Sequence, residues 1–155
     1  MVSRADILRP ASPPGKAMQF KKTGESLGLS VASIPDLIRE VTRGFPYEAL
    51  TAFEKNSGVS LPLLAEMIGI PERTLARRRS AGRLASKESE RLLRLSFLFD
   101  RCVELFEGDV ASAVQWLATP QRTLENRTPL QYARTEIGAR EVENLIGRLE
   151  HGVFS

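Results

Sequence analysis

A single cysteine, Cys102, and a single histidine, His151, are all the thiol and imidazole the 155-residue chain has. One cysteine excludes an internal disulfide, and a reduced, cytoplasmic compartment fits such a chain. The same scarcity leaves no paired Cys/His spacing for zinc. Neither GxxxxGK[ST] nor GxGxxG occurs, so no glycine loop of those types is available to cradle a phosphate. No apolar run approaches the ~20 residues a membrane-spanning helix needs. The first residues carry Arg4, Asp6 and Arg9 without the apolar core of a secretory signal. The alternation of a half-buried strand is also missing. Cys102 and His151 would be the one nucleophile–base pair, and no third group orients them. Carboxylates such as Glu136, four residues before Arg140, read as partners in surface ion pairs on a helix. These absences lead us to expect no enzyme, no cofactor, no metal, no small-molecule substrate and no membrane association.

What the chain does have is unevenly placed charge. The net charge is only +3. Residues 71–94, however, hold eight basic residues (Arg73, Arg77, Arg78, Arg79, Arg83, Lys87, Arg91 and Arg94) against Glu72, Glu88 and Glu90, a local +5. Residues 95–155 hold six basic and nine acidic residues, a local −3. A basic middle and an acidic tail suggest two different partners.

Helical punctuation organises the rest into an all-α fold. Residues 1–30 contain Pro10, Pro13, Pro14, Gly15, Gly24 and Gly28 with no regular apolar spacing, and are expected to be a flexible arm. Its five basic and two acidic residues suit either a brush with nucleic acid or a solvated leader. Ser33 is placed to cap a helix whose apolar face is Leu37, Ile38 and Val41, and Gly44 ends it. Pro46 opens the next, with Leu50 and Phe53 three apart, stopping at Asn56-Ser57-Gly58. Further helices are expected over 61–68, 71–80 and about 86–107. Gly108 stops the last of these, and Asp109 caps another over 110–118. Thr128-Pro129-Leu130-Gln131 is a capping box with proline at the first helical position. The final helix is expected from about Ala139 to Glu150, with Val142, Leu145, Ile146 and Leu149 at i, i+3, i+4, i+7. Gly147 lies in its interior, where glycine costs roughly 0.5–1 kcal/mol relative to alanine, and close approach of another backbone would explain it. Two units follow, a body over 31–95 and a C-terminal domain over 96–155.

Within the body, residues 61–79 have the pattern of a helix-turn-helix. Ala65 is small enough for two helices to cross, Gly69 tolerates the positive φ of the turn, and Pro71 opens the second helix where its missing N–H costs nothing. Leu64, Ile68, Ile70 and Leu75 fall between the two helices. The second helix resembles a recognition helix that offers its first residues to base edges, here Arg73, Thr74 and Arg77. Arg78, Arg79 and Arg83 would meet phosphates, which position a protein without reading sequence. The same geometry also serves as plain scaffold, and Arg78 occupies a helical position that is usually apolar.

On the long helix, Leu92, Leu95, Phe99, Cys102, Val103 and Phe106 make one stripe, while Leu93, Phe97 and Leu98 lie off it. The surplus fits the central helix of its own domain or the seam of a homodimer, and we expect the dimer, with Leu93, Phe97 and Leu98 at its interface. Cys102, on the stripe, is expected to be a small buried hydrophobe.

Three segments carry a family resemblance: Asn126-Arg127-Thr128-Pro129-Leu130, Thr135-Glu136-Ile137-Gly138-Ala139-Arg140-Glu141-Val142, and Arg148-Leu149-Glu150-His151-Gly152-Val153-Phe154. Together they resemble the C-terminal toxin-binding domain of the Xre/MbcA/ParS antitoxins, over about the second half of the chain and more loosely over the middle third. The resemblance implies a helix-turn-helix body joined to a C-terminal helical toxin-binding domain. It implies as partner a RES-domain toxin, similar to ADP-ribosyltransferases and consuming NAD, whose active site the antitoxin covers, and an operator to which the pair binds to repress its own operon. The toxin-binding residues it implies here are Arg127, Arg140, Glu143, Arg148, Glu150, His151, Gly152, Val153, Phe154 and Ser155. Val153, Phe154 and the Ser155 carboxylate would enter the cleft, Glu150 would meet its basic groups, and Arg140 and Arg148 its acidic rim. The alternative is a stand-alone helix-turn-helix regulator whose C-terminal domain only dimerises.

Overall fold

The computed structural model describes residues 24–152, and these divide between Phe97 and Leu98 into two compact units. The first begins earlier than the sequence suggests. Gly24 and Gly28 do not merely break a flexible arm. They close a 3-10 turn over Glu25–Leu27, with Leu27 N–H donating to the Gly24 carbonyl at 3.1 Å. Leu27 is buried, and the Asn56 side-chain amide donates to the Ser26 carbonyl at 3.0 Å. Residues 24–28 therefore belong to the folded unit, and an arm running to residue 30 is corrected to that extent. Residues 1–23 lie outside the described residues.

Five helices follow in this unit: α1 (Ile34–Arg43), α2 (Tyr47–Ser57), α3 (Leu61–Met67), α4 (Glu72–Ala81) and α5 (Ser86–Leu105), the last crossing into the second unit. Ser33 caps α1 as expected, its Oγ accepting from Asp36 N–H at 3.3 Å. The expected apolar face of α1 is only partly buried. Leu37 is inside, but Ile38 is 59% exposed and Ile34 60%. Leu50 and Phe53 of α2, Leu64 and Ala65 of α3, and Leu92 and Leu95 of α5 are all buried. Ser60 does not cap α3, and the Glu54 carboxylate takes the Leu61 N–H instead at 2.7 Å.

The second unit completes α5 with Leu98, Phe99, Cys102, Val103 and Leu105 buried, and adds α6 (Val110–Leu117), α7 (Pro129–Tyr132) and α8 (Glu136–Glu150). Asp109 caps α6 by accepting from Ser112 N–H at 3.1 Å. The Thr128/Gln131 capping box is present in both directions, at 3.1 and 3.0 Å. α8 starts a turn before the sequence suggests, because the Thr135 hydroxyl caps it by accepting from Gly138 N–H at 3.0 Å. Gly138 is where backbones meet: a Cβ there would overlap the Tyr132 carbonyl oxygen. Gly147, expected to mark such an approach, does not, since a Cβ there would meet only the Arg101 guanidinium at 3.8 Å. Val142, Leu145, Ile146 and Leu149 are all buried, as the stripe requires. Among the described residues there are no β-strands, only two isolated bridges, and no helix is long and apolar enough to cross a membrane.

Candidate functional site

Two surfaces collect the candidate residues, one in each unit. The first is α4. The α3–α4 turn forms as its sequence dictates: Gly69 has φ 73°, a conformation glycine adopts without steric cost, and Ile70 N–H donates to the Ala65 carbonyl at 2.8 Å. Leu64, Ile68 and Ile70 are buried and Leu75 half-buried. α4 itself contains no buried residue. It is held largely by polar ties at its C-terminal end. Tyr47 N–H donates to the Gly82 carbonyl at 2.9 Å, Leu84 N–H to the Phe45 carbonyl at 2.9 Å, and the Arg83 guanidinium to the Gly44 carbonyl.

Those ties sort the six basic-face candidates. Arg73 and Arg77 are exposed and Thr74 half-buried, with Arg77 donating to the Thr74 hydroxyl at 3.3 Å. Arg79 is exposed, and neither it nor Arg73 forms an ion pair among the described residues. Arg78 is different. It grips Glu88 with two N–H groups at 2.8 and 3.2 Å, and the Glu88 carboxylate also accepts from Ala85 N–H at 2.8 Å. Burial pushes the Glu88 carboxyl up, but the Arg78 side-chain hydrogen bond, the Ala85 N–H and the charges of Arg78 and Arg91 outweigh it and hold the pKa below its ordinary value. Arg78 therefore ties α4 to the start of α5. The sequence held the clue, since Arg78 stands where a helix of this kind usually turns an apolar residue inward. Arg83 remains exposed, with one N–H engaged by Gly44.

The dimer candidates separate in the same way. Phe97 is 37% exposed and Leu93 half-buried, whereas Leu98 is 1% exposed. Cys102 is fully buried, its thiol 3.5 Å from the Ala113 carbonyl and its pKa driven up by desolvation, as befits an inert core residue.

The second surface runs over the loop at 121–127 and along α8. Glu125 and Asn126 are both left-handed, at φ 58° and 61°, a conformation uncommon outside glycine. The loop closes through Gln121 N–H to the Arg127 carbonyl and Asn126 N–H to the Gln121 carbonyl, each at 3.0 Å, and leaves Arg122, Glu125, Asn126 and Arg127 exposed. Arg140 is exposed and paired with Glu136 at 3.0 Å, the expected i, i+4 pair. Glu143 and Arg148 are half-buried, and His151 and Gly152 exposed. Glu150 is not waiting for a partner's cation. Arg101 bonds its carboxylate at 3.2 Å and reaches the Glu143 carbonyl at 3.5 Å. Arg101 is the positioning residue that sequence reasoning missed, because nothing local links it to a residue 49 positions away. Ile137, 79% exposed, was missed as well. Val153, Phe154 and Ser155 lie outside the described residues.

Comparison with known proteins fits this division. Residues 36–96 match the antitoxin Xre-like helix-turn-helix domain, and residues 102–152 match the antitoxin Xre/MbcA/ParS C-terminal toxin-binding domain. A protein of Yersinia enterocolitica named antitoxin Xre is 36% identical over 143 residues, covering 92% of this chain and 97% of the relative. The antitoxin Xre of Photorhabdus laumondii is 34% identical over the same shares, and that of Pseudomonas putida 29% identical over 79% of this chain and 76% of its own length. With both units matched and relatives alike over nearly the whole length, the chain belongs to the Xre antitoxin family.

Proposed function

We propose that this antitoxin neutralises a RES-domain toxin, an NAD-consuming enzyme of ADP-ribosyltransferase type, by covering its active site, and that it represses its own operon through α4. It performs no chemistry itself and acts in the cytoplasm by occlusion. The observation that carries the reading is the split of exposed charge between the two units. α4 turns Arg73, Arg77 and Arg79 to solvent with no buried anchor of its own. The second unit holds α8 by a fully buried stripe and leaves exposed Arg127, Arg140 and His151, with half-buried Arg148, for a partner. A homodimer would set two copies of α4 on two operator half-sites, with exposed Phe97 and half-buried Leu93 of α5 available to its seam.

Co-expression with a RES-domain toxin from the same genome tests the reading. The toxin should co-purify with the chain, and cellular NAD should hold steady. Toxin that passes through unbound while NAD falls would sink it, and would leave a helix-turn-helix regulator whose C-terminal unit only dimerises.

A further inference from the structure

The outward face of α8 carries two features that nothing inside its unit explains. Ile137 is the first. It is the most exposed large apolar residue among those described. Its neighbours fix it there: Gly138 is pressed against the Tyr132 carbonyl and Ala139 is buried, so α8 cannot roll to hide Ile137. Gly147 is the second. At about 100° per residue it lies on the outward half of the helix, near Arg140 and Asn144. Its φ is not positive, and a Cβ there would make only an ordinary contact with Arg101 at 3.8 Å. Alanine therefore fits the free protein, and glycine loosens the helix without serving the chain's own packing. Close approach of a backbone from another molecule accounts for it.

We propose that this face, anchored by Ile137 and flattened at Gly147, is where the toxin's main chain lies against the antitoxin, with an apolar socket for Ile137 and acidic groups opposite Arg148 and His151. The proposal rests on the toxin-binding reading above. The whole face falls within the matched toxin-binding domain, residues 102–152. An exposed apolar side chain ringed by Glu136, Arg140 and Glu141 has the composition of an interface anchor with a polar rim. A second copy of this chain pairing through the same face is the rival occupant, and the outcomes below separate it from the toxin.

The test uses the full chain as wild type, Ile137→Asp and Gly147→Ala, titrated against the same purified RES-domain toxin. Thermal unfolding and light scattering of each antitoxin alone accompany the titration. Ile137→Asp should weaken toxin binding at least about 30-fold with the melting temperature unchanged. Gly147→Ala should raise the melting temperature of the free antitoxin while weakening toxin binding by about tenfold, opposite signs that a purely structural glycine would not give. Wild-type affinity in both variants would overturn the proposal. So would a change in the antitoxin's own mass with toxin affinity intact, which would make the face a contact between copies. A wild-type chain that fails to bind the toxin at all would end the toxin-binding reading itself, a result distinct from either.

Discussion

α4 and α8 both carry candidate partner residues, yet they are held by opposite means. α8 buries Gly138, Ala139, Val142, Leu145, Ile146 and Leu149, and its polar bonds are accessories. α4 buries nothing and depends on Arg78–Glu88, Arg83 to Gly44, and the backbone bonds around Gly82. A helix whose inward residues, Thr74, Leu75 and Arg78, are only half-buried leaves most of its surface to a partner as large as a nucleic-acid groove. A helix with six buried residues offers one face only, so what that face carries has to be specific. The comparison teaches where each unit is vulnerable: the second unit through its apolar core, the first through a few polar ties.

The largest effect should fall in the core of α8. Ile146→Ala removes a fully buried side chain and should cost about 2–5 kcal/mol in chemical denaturation, whereas Arg73→Ala on α4 should stay within about 0.5 kcal/mol. Similar losses from the two would erase the contrast. Gly138→Ala comes next, since its Cβ meets a carbonyl rather than a flexible side chain, and a loss of about 1–3 kcal/mol is expected. Glu88→Gln should cost about 1–3 kcal/mol by leaving the Arg78 guanidinium without its charged partner. Because the folded pKa of Glu88 is depressed, its contribution is present above the ordinary glutamate value of 4.5 and is lost as the pH falls through the folded value. Glu88→Gln should therefore flatten that acid limb in a pH series of denaturation curves, and an unchanged limb would remove Glu88 as its source.

DNA binding sharpens the comparison from the other side. If about four or five phosphates are contacted in all, log K should fall against log salt with a slope near −4. Arg77→Ala should weaken operator binding by about 1–3 kcal/mol with little change in stability. Arg78→Ala should instead lower stability first. If both variants bind operator equally poorly and melt like the wild type, Arg78 touches DNA after all. The smallest effect is expected at Phe97, where Asp should shift a monomer–dimer balance seen by light scattering without unfolding either unit.

Much of this was legible from the residues alone. The caps at Ser33, Asp109 and Thr128, the turn at Gly69 and the stripe of α8 all follow from local rules, and each stands where those rules put it. What escaped depends on distant partners. Gly24 and Gly28 looked like breakers because Leu27 finds its burial only in the assembled unit and Asn56 sits thirty residues on. The periodicity of α1 promised a buried Ile38, and no neighbour among the described residues covers it. Of the two glycines in α8, the sequence drew attention to Gly147, in mid-helix, and passed over Gly138, whose carbonyl neighbour belongs to a different helix. At the candidate sites, residue type identified the basic face of α4, but which arginines are free was decided by Glu88 and the Gly44 carbonyl.

The claim beneath all of this is that the two units present independent surfaces. NAD consumption by the proposed partner, a RES-domain toxin, titrated with the full-length Arg73→Ala/Arg77→Ala variant, tests it most directly. The account predicts an inhibition curve superimposable on the wild-type curve although the variant no longer holds operator DNA. A variant that fails to protect NAD, while still folded, would contradict it and place α4 in the toxin interface.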